Sequence, residues 1–165
     1  MKNEEAVRIF MENSAKVAAR PIRVNGISHM NEVLGEILAN ESAIYCPGIS
    51  ELEKSAIIDT ERRVDAYRDA TVAVEESVAG IAETGSVVVT SANGRAVQAS
   101  LLPAHHVAIL SADNIFMSLD EFFAGLGKTP PTNITLITGP SRTADIELTL
   151  TIGVHGPEKV SILVV

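Results

Sequence analysis

The chain has no tryptophan and a single cysteine among its 165 residues. One thiol, Cys46, excludes an internal disulfide, and it excludes a four-cysteine zinc site or iron–sulfur cluster held by this chain alone. Free cysteine packs as a small hydrophobe, so Cys46 is expected to be a buried bystander, with a reactive thiol as the alternative. Aromatics make up only 4% of the residues, so the core must be aliphatic. No apolar run approaches the roughly 20 residues that a membrane-spanning helix needs. Residues 1–8 are charged and lack the apolar stretch of a signal peptide, which points to a cytoplasmic protein. Basic residues are also scarce. The net charge is −8, and the one adjacent basic pair, Arg62-Arg63, is surrounded by Asp59, Glu61 and Asp65. A nucleic acid would be repelled, so none is expected as a partner. The glycine-rich dinucleotide fingerprint, the P-loop and the two-histidine zinc-protease helix are all missing. Gly125-Leu126-Gly127-Lys128-Thr129 has the wrong spacing for a phosphate loop and follows a helix rather than a strand.

What is present is a globular composition: 46% hydrophobic and 21% charged residues, enough for one core and one domain over residues 1–165. A helical portion occupies about residues 1–60. Val7, Phe10, Met11, Ser14, Val17 and Ala18 share a helical face that Pro21 ends. Met30, Val33, Leu34, Ile37 and Leu38 keep helical spacing, with Ser28 as the expected N-cap. Ser50 and Glu53 have capping-box spacing for a third helix, and these three helices read as structural. A short apolar run, 42–46, precedes Pro47-Gly48. The α/β portion covers about residues 70–165. Strands are expected at 71–74, 87–90, 107–110, 134–138 and 161–165, with a capping box at Ser118 and Glu121 and a turn at Asn93-Gly94. Continuously apolar strands alternating with helices predict a three-layer α/β/α fold around a mostly parallel sheet.

Three segments carry the candidate chemistry, and the ends of the strands, usually the carboxyl ends, are where ligands bind in such sheets. In the first, Glu83-Thr84-Gly85-Ser86, the glycine permits a tight turn, backbone amides with the Thr84 and Ser86 hydroxyls can cradle a carboxylate or phosphate, and Glu83 is either a base or a solvated side chain. In the second, Leu101-Leu102-Pro103-Ala104-His105-His106, adjacent strand histidines point to opposite faces, so they cannot chelate one metal and at most one faces a site. The third runs from Thr138 through Gly139-Pro140-Ser141-Arg142-Thr143-Ala144-Asp145-Ile146-Glu147 to Gly153-Val154-His155-Gly156-Pro157. Arg142 can grip a carboxylate or phosphate with its two-pronged guanidinium, or it can form a structural pair with Asp145.

In this order the three segments resemble the LUD domain of lactate-utilization C-type proteins. The motifs are Gly80-Ile81-Ala82-Glu83-Thr84-Gly85-Ser86, Ser100-Leu101-Leu102-Pro103 with His106, and above all 139–147 with 153–157. Where the family has a second proline this chain has Ala104, and His106 takes the family's histidine position while His105 is the variable one. The resemblance implies a fold similar to the sugar-isomerase and coenzyme A transferase superfamily. It implies a part in oxidising L-lactate to pyruvate beside iron–sulfur partner subunits, the chain holding no cluster itself and its own cofactor, if any, being unknown. On that reading Glu83, His106 and His155 are the candidate proton-handling residues. Thr84, Gly85, Ser86, Ser141, Arg142, Thr143, Asp145 and Glu147 would bind a small carboxylate or phosphate, and no metal is expected. Two other readings stand beside it: a stand-alone CoA-transferase-like or phosphosugar-isomerase-like enzyme with Glu83 as nucleophile or base, and a non-catalytic scaffold for the iron–sulfur subunits. The sequence is compatible with an oligomer.

Overall fold

A computed structural model describes residues 3–144, 150–152 and 155–165. The elements follow in the order α1 (Glu4–Lys16), β1 (Arg20–Arg23), α2 (Gly26–Ile37), β2 (Ile44–Tyr45), α3 (Glu51–Ser55), β3 (Arg63–Val64), β4 (Val72–Ser77), β5 (Ala79–Ile81), β6 (Ser86–Thr90), β7 (His105–Leu110), β8 (Ile115–Phe116), α4 (Leu119–Ala124), β9 (Ile134–Ile137), β10 (Arg142–Ala144), β11 (Leu150–Ile152) and β12 (Lys159–Val164). A six-stranded sheet has the order β1-β12-β7-β4-β2-β3, and every pairing in it is parallel. A smaller sheet, β8-β5-β6-β9, is mostly antiparallel, and β10 and β11 form a separate antiparallel pair.

The expected parallel sheet is therefore present, and two strands of the helical first portion, β1 and β2, lie in it. Of its central strands β7 is buried throughout and β4 at every position but Glu76, as the unbroken apolar runs at 72–74 and 107–110 require. On one face Val72, Val74, Val107, Ile109 and Leu163 pack against Met30, Val33 and Leu34 of α2 and Leu38 just after it, with Cys46 in the same cluster. On the other, Ala108, Leu110, Val160, Ile162 and Val164 pack against Ala6, Val7 and Phe10 of α1 and against Val87, Val89 and Ile137 of the smaller sheet. This second outer layer is thus part helix and part sheet.

Local signals placed several boundaries well. The Ser50–Glu53 capping box forms in both directions, and Ser118 accepts a hydrogen bond from the Glu121 amide at the start of α4. Two expectations need correction. α1 ends at Lys16, Ala18 turns the chain at φ 67° two residues on, and Pro21 instead lies within β1, an edge strand that tolerates a missing N–H. α2 begins at Gly26 after Asn25, so Ser28 lies in its first turn and is not the N-cap. Among the described residues no helix is long and apolar enough to cross a membrane.

Candidate functional site

The first and third motif segments meet at the end of α1, and the second adjoins the third where β12 begins. The Ser86 hydroxyl lies 2.7 Å from both the Thr84 and the Thr138 hydroxyls, joining the first segment to the third. The Ser141 amide donates to the Pro157 carbonyl at 2.8 Å, and the Ser141 hydroxyl accepts from the His155 amide at 3.2 Å. The Glu158 and Lys159 amides, directly after the third segment, both donate to the Ala104 carbonyl of the second. Gly85 and Gly139 sit at φ +68° and +71°, and a Cβ on either would run into backbone: that of Asn13 and Ser14 for Gly85, and that of Val17 for Gly139. The motif glycines are therefore needed where two loops lie directly against the end of α1. Here a pocket of about 360 Å³ is lined by Lys16, Val17, Thr138, Pro140 and Arg142. Lys16 also donates to Asn13, whose amide in turn donates to the Ala82 and Glu83 carbonyls.

These loops lie at the amino end of the parallel sheet, because Ala104 and Glu158 immediately precede β7 and β12. The usual carboxyl-end placement does not apply to them. β5 follows β4 after one residue and belongs to the smaller sheet, and the turn between β5 and β6 carries Gly85 against the residues of α1 that precede β1.

The remaining candidates are placed separately. Glu83 is exposed, and its Oε1 accepts from the Leu119 amide at 2.7 Å, where a carboxylate complements the N-terminus of α4. His106 is fully buried on the sheet face that packs against α1, with its Nε2 3.4 Å from Glu75 Oε1. His105 points to the opposite face, as strand alternation requires, between Glu41 at 3.1 Å and Ser161 at 2.9 Å. Burial pushes the pKa of His105 down, and Glu41 opposes the shift. His155 is exposed. Thr143 lies on β10, while Asp145 and Glu147 fall outside the described residues.

A second polar region was not apparent from the sequence. β2 leads into α3 on one face of the large sheet, whereas β4 leads into the smaller sheet on the other. Such a divergence opens a crevice at the carboxyl ends of the two strands. It is lined by Ile49, Ser50, Glu76, Val78, Asn93, Arg95 and Asn114 and has a volume of about 310 Å³. Behind it, the buried Glu53 carboxylate accepts from Arg95 Nη1 at 2.6 Å, the Glu76 amide at 2.7 Å, the Ile49 amide at 2.8 Å and the Ser50 amide at 3.1 Å. Burial pushes the Glu53 pKa up, but the Arg95 guanidinium and the three amides more than offset it and hold it below the usual carboxylate value.

Comparison with known proteins is decisive for the family. Residues 60–165 match the LUD domain. The chain belongs to the LUD domain family. Relatives include lactate utilization protein C of Geobacillus sp. strain WCH70, 36% identical over 110 residues, which are 63% of this chain and 46% of that protein. Lactate utilization protein C of Macrococcus caseolyticus is 38% identical over 102 residues, 58% of this chain and 44% of that one. In Bacillus subtilis strain 168 the protein of the same name is 34% identical over 111 residues, 64% and 46% respectively. The match thus spans about half the length of these curated relatives. In fold, the chain is similar to a DUF162 family protein from Deinococcus radiodurans, with a TM-score of 0.69 at 18% identity over 97% of this chain and 96% of that one.

The matched LUD region holds all three motif segments. It also holds Glu76, Asn93, Arg95 and Asn114 of the crevice, but Ser50 and Glu53 lie before it. The capping-box pattern pointed to Glu53 only as a helix residue. Its hydrogen bond to Arg95, 42 positions away, leaves no local sequence signal.

Proposed function

We propose that this LUD domain serves L-lactate oxidation, binding the substrate's carboxylate at the amino-end pocket while iron–sulfur partner subunits take the electrons. The observation that supports the reading most is the pocket itself. Its lining includes Lys16, Thr138 and Arg142, and the Thr138 hydroxyl is hydrogen-bonded to Ser86, which joins two of the family's motif segments. Two cations beside a hydroxyl form a suitable receptor for a small α-hydroxy carboxylate, since a guanidinium can take both carboxylate oxygens. The names of the relatives connect the family to lactate utilization.

Oxidation of lactate to pyruvate releases two protons, one from the hydroxyl and one from C2, and two electrons, which are the pair of the broken C2–H bond; the C2 proton passes to solvent. His155 is the candidate in this loop group to take the hydroxyl proton, because its backbone is fastened to Ser141, next to Arg142. His106 is buried against Glu75 and would act on this site only indirectly. Glu83 would orient the turn through its bond to Leu119. The donor set of the chain does not fit a cluster: Cys46 is the sole cysteine, and burial raises its pKa away from the thiolate that a metal needs. On this reading clusters on partner subunits would accept the two electrons.

The test is lactate-dependent electron transfer in the reconstituted assembly. Arg142→Ala is expected to raise the lactate KM at least about tenfold, the effect of losing one charge-assisted contact of about 1.4 kcal/mol or more. Unchanged lactate kinetics in both Arg142→Ala and Lys16→Ala would remove the pocket from the reaction.

A further inference from the structure

The carboxyl-end crevice does not stand alone. An apolar pocket of about 260 Å³ adjoins it, lined by Val78, Thr90, Ala92, Asn114, Phe116, Phe122, Gly125, Leu126 and Pro131. Val78 and Asn114 belong to both cavities, and Ala92 and Asn93 stand side by side, one in each wall. The two halves differ sharply in chemistry. The apolar half carries the edge-to-face pair of Phe116 and Phe122, ring centroids 5.6 Å apart. The polar half offers two amide side chains, the Ser50 hydroxyl, the Glu76 carboxylate and the guanidinium of Arg95.

We propose that these joined cavities form one binding site, separate from the amino-end pocket, for a flat heteroaromatic ring that carries an uncharged, hydroxyl-rich arm. The aromatic and aliphatic walls bury the faces of a planar ring, and Thr90 and Asn114 in the same lining supply polar groups for the heteroatoms at its edge. The arm follows from the polar lining. Asn93 and Asn114 each supply both donors and acceptors, and Glu76 can accept from hydroxyl groups. Charge decides against a strongly anionic arm. Glu53 already neutralises Arg95 at 2.6 Å with their side chains 0% and 9% exposed, and Glu76 leaves the lining with a net negative charge.

The polar half is also held ready for a ligand. Glu53 joins the loop after β2, the end of β4 and the segment after β6 through four hydrogen bonds, so these three walls keep their spacing without a ligand. A buried ion pair adds little net stability compared with apolar packing, but it does fix geometry. Asn93 and Gly94 adopt left-handed backbone conformations, φ 59° and 74°, at the bend between β6 and Arg95. Position supports the assignment independently: the site lies where the chain leaves β2 and β4 on opposite faces, where open parallel sheets bind ligands.

The test is calorimetric titration of the purified chain with adenosine and with riboflavin, which share the ring-and-polyol pattern and differ in ring size. D-Ribose and adenosine triphosphate serve as the armed-without-ring and polyanionic controls. At least one of the two probes is expected to bind, with ribose silent and the triphosphate at least about tenfold weaker than adenosine. Asn114→Ala, at an exposed position, is expected to weaken binding about tenfold, the loss corresponding to about 1.4 kcal/mol. Leu126→Trp, which fills the apolar half, is expected to abolish it. Binding by neither probe, binding unchanged in both variants, or triphosphate preferred over adenosine would each overturn the proposal. L-Lactate added at saturation should not displace either probe. Probe binding without lactate-dependent activity would sink the lactate reading alone, and the converse would sink this one alone.

Discussion

The two ends of the parallel sheet are built by different means. At the amino end, loops 82–86 and 138–142 press their backbones on α1, neutral hydroxyls join them, and the cationic side chains of Lys16 and Arg142 line the pocket above. At the carboxyl end the charge is inside: Glu53 and Arg95 are buried, and amides and a carboxylate line the crevice in front of them. The first arrangement depends on the absence of side chains at two glycines. The second depends on a charged pair that must stay complete. Close backbone packing leaves almost no tolerance for added atoms, whereas an ion pair tolerates conservative repacking but not the loss of one member.

This contrast orders the expected effects of substitution. Gly139→Ala and Gly85→Ala should be the most damaging, because each combines a left-handed backbone with overlap against α1. A loss of about 4 kcal/mol, or failure to fold, is expected in denaturant titration. Loss below about 1 kcal/mol would mean that α1 can move away freely. Next comes Glu53→Gln, which leaves the Arg95 charge buried without its partner and should cost about 3–5 kcal/mol. Adding Arg95→Met should recover part of that loss, and a double-mutant cycle showing simple additivity would refute the coupling. Ser86→Ala is milder: it removes the hydroxyl between Thr84 and Thr138, about 1 kcal/mol of stability.

The smallest effect concerns pH. The folded protein holds His105 neutral more strongly than the unfolded chain does, since its pKa is lowered by burial. Between the unfolded value, about 6.5, and the lower folded value, the unfolded state binds more protons. The stability contributed by neutral His105 is therefore complete above the unfolded pKa and declines as the pH falls from there through the folded value. His105→Gln should flatten that part of the stability profile, and an unchanged slope would place the titration elsewhere.

The same contrast explains what could be read from the sequence. The amino-end motifs are contiguous, so the glycine turn at 85, the Ser-Arg loop at 141–142 and the buried strand from Val107 were visible directly. The capping boxes at Ser50 and Ser118 were equally local. β1 was hidden because Arg20-Pro21-Ile22-Arg23 shows no apolar run and its proline reads as a stop. The placement of the motif loops at the amino end depends on β5 leaving the large sheet directly after β4, and strand order is a property of the whole chain. The crevice was least legible. Its walls come from 49–50, 76–78, 93–95 and 114, and no spacing rule joins those segments.

The central claim is that lactate and the ring-bearing ligand belong to opposite ends of one sheet. The most direct measurement is amide chemical-shift mapping of the isotope-labelled chain titrated with L-lactate. Shifts concentrated at Lys16, Val17, Ser86, Thr138 and Arg142, with Ser50, Asn93, Arg95 and Asn114 unmoved, are the predicted result. Shifts confined to the second group, or none anywhere at saturating lactate, would contradict it.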